Sequence, residues 1–268
     1  MVPQPRSPHA LLSINRGWAM YTGPVTQNRP HQHYAHQIAW SLEADIEAVG
    51  AQGPVCGAGY LVCSTTVHRV KTSAWLHTLY LTPEMVGAQW FSERAGGSLA
   101  VMSVHEAKQL SAIMSERLWP SVSDNDVLER SNSVNDDERL IAVLKHLEQR
   151  LHQPLRAIEL AKFVHLSPSR FLHWFSESLG LPFRAYVRWL RLQAAVRALA
   201  DGANLTEAAH LSGFADSAHL SRTFVSAFGI TPNSLATVEI TISDLEFPMS
   251  QIVQALDSKS TGRKLLRQ

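Results

Sequence analysis

One pattern, present twice at a fixed distance, constrains this chain more than any other feature. The first copy runs Leu160-Ala-Lys-Phe-Val-His-Leu-Ser-Pro-Ser-Arg-Phe-Leu-His-Trp-Phe175 and reaches Leu179-Gly180. The second runs Ala208-Ala-His-Leu-Ser-Gly-Phe-Ala-Asp-Ser-Ala-His-Leu-Ser-Arg-Thr-Phe224 and reaches Phe228-Gly229. Phe175 and Phe224 are 49 residues apart, as are Gly180 and Gly229, whereas Ala161 and Ala209 are 48 apart. The second turn therefore holds one more residue. Each copy has the layout of a helix-turn-helix unit, and a repeat of such a unit implies two equivalent surfaces.

The local chemistry agrees with that layout. A small residue is needed where the paired helices approach, and Ala161 and Ala209 stand there. Ser167 and Asp216 are side-chain acceptors for the second helix of each unit. Pro168 suits a first helical position, where its missing N–H is not needed. The inward faces carry Phe171, Phe175 and Leu179, then Leu220, Phe224 and Phe228. The outward faces carry Ser169, Leu172, His173 and Ser176, then Ser217, Ala218, Ser221 and Arg222. Arg pairs with a guanine edge, Ser and His bond bases or phosphates, and Leu172 suits a thymine methyl. Residues 182–200 read as one helix, opened by Pro182 and closed by Asp201-Gly202, about 28 Å long. That length approaches one turn of B-DNA, about 34 Å, so the connector would set both units in successive major grooves.

Overall charge is only +1, but the distribution is uneven. Residues 1–135 hold 9 basic against 10 acidic groups, and residues 136–235 hold 11 against 9. Arg184, Arg188, Arg191 and Arg197 share a segment with no acid, which favours phosphate contact by some of them. The candidate DNA contacts are thus Ser169, Arg170, Leu172, His173, Ser217, Ala218, Ser221, Arg222 and Arg188.

The first hundred residues have a different texture, rich in aromatic and β-branched side chains between Gly, Pro and Asn. Candidate strands are Ala35–Leu42, Ala58–Cys63, Thr66–Val70 and Trp75–Leu81, with turns at Pro24, Pro30, Gly50, Gly53-Pro54 and Pro83. Many short strands suggest a barrel or sandwich. At residue 104 the period changes. Val104, Ala107, Leu110, Met114 and Leu118 predict an amphipathic helix over 103–118, capped by Ser103 with Glu106. Such a helix packs on its own domain or pairs with a second copy. Residues 119–135 have a linker composition, with a short helix near 126–130. Leu140, Val143, Leu144, Leu147 and Leu151 form the next apolar stripe. In the tail, Val238–Ile242 reads as a strand, Met249–Leu256 as a helix, and the last dozen residues as loose. No leader or membrane span is read, and two cysteines, Cys56 and Cys63, suit reduced thiols in the cytoplasm rather than a disulfide framework.

With these residues in place, the chain resembles the AraC-type family of bacterial transcription regulators. The resemblance rests on Leu166-Ser-Pro-Ser-Arg-Phe171, Phe175 with Leu179-Gly180, Tyr186-Val, Arg191-Leu192 and Ala195. It continues in Gly213-Phe214, Leu220-Ser-Arg-Thr-Phe224, Phe228-Gly229 and Pro232, and covers 136–235. Where the family usually closes with Tyr-Arg, this chain has Ser234-Leu235. The resemblance implies an N-terminal cupin-like sensor that binds a small effector and helps the protein dimerise. Asn28–Leu42 and Tyr60–Val70 look like its two motifs, which nominates His31, His33, His36, Trp40, Tyr60 and His68 as effector contacts. Trp18, Tyr21, Trp75 and Tyr80 would add packing or lining. A cupin metal site would use His31, His33 and His68 with an acid, but Gln37 stands near the acid's place. The expectation is therefore no bound metal and no cofactor.

The resulting expectation is an α+β chain of two domains: a cupin-like β-barrel with a flanking helix (1–118), a linker (119–135), an all-α double helix-turn-helix domain (136–235) and a C-terminal extension (236–268). Its expected role is an effector-controlled, sequence-specific regulator, not an enzyme. Expected partners are double-stranded DNA, a small effector, a second copy, and RNA polymerase if it activates. Two alternatives remain: a β-domain that binds a protein, and a metal-dependent cupin enzyme fused to a DNA-binding domain. No Ser/His/Asp order, phosphate loop or carboxylate pair speaks for catalysis.

Overall fold

The computed structural model describes residues 10–15, 17–24, 29–72, 74–86, 88–118, 137–179, 181–242 and 248–257. The expected linker at 119–135, with its short helix, and the loose terminus beyond 257 lie outside the described residues.

Alternation builds the N-terminal half. In β1 (Ala10–Ile14) the buried residues Ala10, Leu12 and Ile14 alternate with half-buried Leu11 and Ser13, the period of a strand covered on one face. It is followed by β2 (Trp18–Pro24), β3 (His36–Trp40), β4 (Ile46–Gly50), β5 (Gly53–Gly57), β6 (Gly59–Val62), β7 (Arg69–Lys71) and β8 (Trp75–Leu81). Two helices, α1 (Pro83–Val86) and α2 (Ala88–Arg94), precede β9 (Leu99–Met102) and α3 (Val104–Leu118). The strands form a three-stranded sheet, β5-β4-β7, and a larger antiparallel sheet containing β1-β2-β8-β3-β6-β9. Strand β3 is buried at every position, because helices cover one face and the small sheet the other. Four of these strands match the expected ones closely or in part. Residues 83–86 and 88–94, where a turn at Pro83 is expected, are helical. Proline is well suited to the first position of a helix, and Pro83 occupies it. The Ser103–Glu106 capping box forms as expected: Ser103 N–H donates to Glu106 Oε2 (2.7 Å) and Glu106 N–H to Ser103 Oγ (3.3 Å). The buried Glu106 carboxylate is also paired with Arg94 of α2.

The helical half comprises α4 (Glu138–Gln149), α5 (Ala157–Phe163), α6 (Pro168–Leu179), α7 (Phe183–Ala200), α8 (Leu205–Leu211) and α9 (Ser217–Phe228). Units α5–α6 and α8–α9 are the two copies. Ala161 and Ala209 are fully buried where each pair meets. Asp216 accepts from His219 N–H (2.6 Å) and Ser167 from Arg170 N–H (3.3 Å), capping the second helix of each unit. The longer second turn bends at Gly213, whose φ is +78°. In the shorter first turn the left-handed position falls to His165, at φ +58°.

The tail supplies β10 (Val238–Ile242) and α10 (Met249–Asp257) after a 3-10 turn at Pro232–Thr237. Both elements were expected, but their partners were not. Strand β10 adds to the larger sheet, parallel to β1, with Ala10 opposite Val238 and Ile14 opposite Ile242. Helix α10 buries Ile252, Ala255 and Leu256 in one core with Ala107, Leu110 and Met114 of α3. Ala107, Leu110 and Met114 of the α3 stripe are thus covered within the chain, while Val104 at its start is exposed.

Two predictions follow from this packing. A Cβ at Gly213 would stand 2.1 Å from the Leu151 carbonyl oxygen, on a backbone at positive φ. Gly213→Ala should therefore lose about 2 kcal/mol or more of stability in urea unfolding, whereas His165→Gly should gain up to about 1 kcal/mol. Equal midpoints for both variants would contradict the two turn geometries. Ile252→Ala should cost about 2–5 kcal/mol, as for a core residue, although it lies in the tail. A loss below about 0.5 kcal/mol would mean that α10 does not pack as described.

Candidate nucleic-acid interface

The inward faces of both units are core. Phe171, Phe175 and Leu179 join Leu140, Val143 and Leu147 of α4 and Phe183, Tyr186 and Leu190 of α7. Leu220 and Phe224 join Leu192, Ala195 and Val196 of α7. With the apolar faces consumed, the opposite faces are left to solvent. Ser169, Arg170, Leu172, His173, Ala218 and Arg222 are exposed, and Ser176, Ser217 and Ser221 are half-buried. Leu172 is 41% exposed, as single apolar residues on a protein surface often are. His173 Nδ1 lies 3.0 Å from Glu177 Oε2 one turn along α6, so this expected reader already has a partner.

The four arginines of α7 divide. Arg184 and Arg188 are exposed, while Arg191 and Arg197 are half-buried. Arg191 donates from Nη2 to the Gln153 carbonyl (3.1 Å), bracing the α4–α5 connection. A cleft of about 330 Å³ between α7 and α9 is lined by Arg184, Arg188, Arg191, Phe214, His219 and Thr223 among others. A second, of about 260 Å³, brings Arg188 and Arg222 together with Gln32 and Tyr34 of the N-terminal half.

That second cleft marks a junction which sequence reasoning missed. The Arg188 guanidinium lies 5.4 Å from the centroid of the Tyr34 ring, a cation–π contact. Gln32 N–H donates to the Ser226 carbonyl of α9 (3.1 Å), and Arg29 N–H to the Gly229 carbonyl just beyond it (3.4 Å). Tyr80 of β8 meets Trp189 and Phe228 with ring centroids 6.3 and 5.7 Å apart. Leu12, Ile14 and Ala19 share one core with α7, α8 and α9. Nothing in the periodicity of 28–42 distinguishes Gln32 and Tyr34 from ordinary loop residues.

The six expected effector contacts are all buried. The structure brings four of them together and sets two apart. His31 and His68 form a backbone bridge, each N–H donating to the other's carbonyl at 2.9 Å. His33 and His68 both approach Gln37 Oε1 through Nε2, at 2.7 and 2.8 Å. Gln37 Nε2 in turn donates to Tyr60 Oη (3.2 Å). His36 and Trp40 belong to the other face of β3. The His36 ring stacks on Phe91 at 4.3 Å, and Trp40 Nε1–H donates to Ser111 Oγ of α3 (2.8 Å). Period two explains the split: positions 36, 38 and 40 face the helices, and 37 and 39 the small sheet. Trp18 and Trp40 are core, and Tyr21 is half-buried at its edge. Burial holds His31 and His36 down to about 4, with neighbouring His33 adding to the effect. Burial also lowers His33 and His68. All four rings are neutral at pH 7.

No helix among the described residues is long and apolar enough to cross a membrane. Residues 160–237 match the family described as helix-turn-helix domain. An HTH-type transcriptional regulator of Staphylococcus aureus strain MSSA476 is 30% identical over 95 residues, 35% of this chain and 13% of that protein. The HTH-type regulator YpdC of Escherichia coli K12 is 34% identical over 82 residues, 30% of this chain and 28% of YpdC. The likeness to both is thus confined to a minor part of their length. Over the whole fold, an apo ToxT variant from Vibrio cholerae superposes with a TM-score of 0.56 at 13% identity, covering 83% of this chain and 97% of ToxT. That likeness is one of architecture. Together with the repeated unit, these matches identify the C-terminal part of the chain as an AraC-type helix-turn-helix domain, carried on an N-terminal β-rich domain.

Proposed function

We propose that this chain is a sequence-specific DNA-binding transcription regulator whose DNA affinity is set by an effector in the N-terminal domain. The observation that carries the reading is the shared cleft. Two expected DNA contacts, Arg188 and Arg222, lie against Gln32 and Tyr34, which belong to the sensor half. An effector that moves residues 29–34 changes the access of both arginines to DNA. Such control requires only that the effector bind two domain arrangements with different affinity. ToxT, whose fold this chain shares, has been solved bound to an unsaturated fatty acid, which supports a sensor role for a domain of this architecture.

In this reading α6 and α9 each enter a major groove. Helix α7, at 18 residues about 27 Å long, spaces them. Arg222, Ser217, Ser221 and Ala218 read one site, and Ser169, Arg170, Leu172 and His173 the other. Each set offers one side chain able to pair bidentately with a guanine edge, Arg222 on α9 and Arg170 on α6. A homodimer would not use Ala107, Leu110 and Met114 of α3, which α10 covers.

Selection from random duplexes tests the reading. The full chain should recover two short sequence blocks about one helical turn apart. On the selected duplex, Arg222→Ala should lose about 1–3 kcal/mol and relax preference at one base pair. Arg188→Ala should weaken selected and random duplexes alike and reduce the salt slope by about 1. Recovery of no motif would sink the proposal. A uniform loss for Arg222→Ala would reassign that side chain to phosphate.

A further inference from the structure

Three imidazoles, His31, His33 and His68, converge at the centre of the sensor half, with ligand atoms all within 4.8 Å of one another. Their tautomers are fixed in the same sense. His31 Nδ1 lies 2.9 Å from the Arg29 carbonyl, His33 Nδ1 2.7 Å from the Ala35 carbonyl, and His68 Nδ1 3.0 Å from the Thr66 carbonyl. A carbonyl oxygen only accepts, so each ring carries its proton on Nδ1. Each Nε2 is left as a lone pair aimed inward. This is the outer-shell arrangement that orients metal-binding histidines. His36 shows the contrast, because Ser64 N–H donates to its Nδ1 (3.2 Å) and forces the proton onto Nε2.

Gln37 sharpens the point. Its Oε1 faces the Nε2 atoms of His33 and His68 at 2.7 and 2.8 Å. These are hydrogen-bond distances, and two acceptors do not approach so closely, so without a metal the amide is turned. With the amide turned, its NH2 group donates to both Nε2 atoms and Tyr60 Oη donates to Oε1. In the other orientation Oε1 is available to ligate a cation held by the rings and the NH2 group donates to Tyr60. The side chain therefore has two fully bonded states, one metal-free and one metal-bound.

We propose that His31, His33 and His68, with Gln37 Oε1 as a fourth ligand, bind a divalent late transition-metal ion that acts as the effector of this regulator. The proposal rests on the regulator reading above and names its signal. Imidazole nitrogens suit zinc, cobalt, nickel and copper ions. A tetrahedral ion with bonds of about 2.0–2.1 Å needs ligand atoms about 3.4 Å apart, so the rings close toward one another and Gln37 Oε1 draws back from His33 and His68 by side-chain rotation. The ligand set is neutral, so the buried ion keeps its full charge. That lowers affinity and suits a reversible signal rather than a permanent structural ion. The route to DNA is short. Gln32, between two of the ligands, donates its N–H to Ser226 of α9, and Arg29, whose carbonyl holds His31, donates its N–H to Gly229.

Co2+ is the probe, added to the metal-free full chain and read by visible absorption, with Zn2+ as competitor. One Co2+ per chain should bind with the d–d bands of a nitrogen-ligated ion. His33→Gln and His68→Gln should abolish the bands, and His105→Gln, an exposed control, should keep them. Gln37→Glu retains all three rings and adds an anionic oxygen, so it should tighten Co2+ by about ten-fold. The affinity of the wild-type chain for its selected duplex should change about five-fold or more on loading, and that of His33→Gln should not. No uptake by the wild type, or uptake undiminished in His33→Gln, overturns the site. Gln37→Glu without tighter binding removes Gln37 from the ligand set. Uptake with unchanged duplex affinity overturns the effector role. Failure of the duplex arm in both metal states would instead count against the regulator reading while the Co2+ spectrum still reports the site.

Discussion

Everything in this molecule hangs on the burial of α7 on several sides at once. Ten of its 18 residues are buried, far more than one apolar stripe requires. Phe183, Tyr186, Val187 and Leu190 close the core of the first helix-turn-helix unit. Leu192, Ala195 and Val196 close the core of the second, and the same core includes Leu12, Ile14 and Ala19 of the N-terminal half. The helix is therefore a rigid spacer and an interdomain seam together. A large apolar interface of this kind resists the free domain motion expected across a wetter one. In the proposed reading, control of DNA binding acts through small shifts beside α7 and α9, where the contacts of Arg29, Gln32 and Tyr34 lie.

The C-terminal extension reinforces the same seam. Strand β10 leaves the second unit and joins the N-terminal sheet beside β1, and α10 then packs on α3. The chain thus crosses back to its first domain, so both ends of the helical half are attached to the β-rich half. Trp90 Nε1–H and Arg94 Nε–H, which donate to Asp257 and to the Leu256 carbonyl, hold the far end of that return.

Much of the helical half was legible because its signals are local. The Ser167 and Asp216 caps, the Ala161 and Ala209 contacts and the Pro182-to-Gly202 span each depend on residues a few positions apart. The β-half was less so. Strands β4 and β5 hide behind Gly50 and Gly53-Pro54, which read as turns, and Pro83 read as a turn where it starts a helix. The docking of β10 on β1 joins residue 238 to residue 10, a pairing that no local pattern encodes. At the candidate site, the His-x-His unit at 31 and 33 and the more distant His68 were visible as a set. The grouping of His36 with them was not supported, because strand parity sends it to the opposite face. Gln37 looked like a missing acid. Only the fixed tautomers around it reveal that its amide sits against the Nε2 lone pairs of His33 and His68.

The central claim is that two units, held one helix length apart by α7, read DNA side by side. Hydroxyl-radical footprinting of the full chain on its selected duplex tests this most directly. The account predicts two protected patches on one face of the duplex, about one helical turn apart, with the patch assigned to α9 weakened by Arg222→Ala. A single protected patch, or two patches on opposite faces, would contradict it.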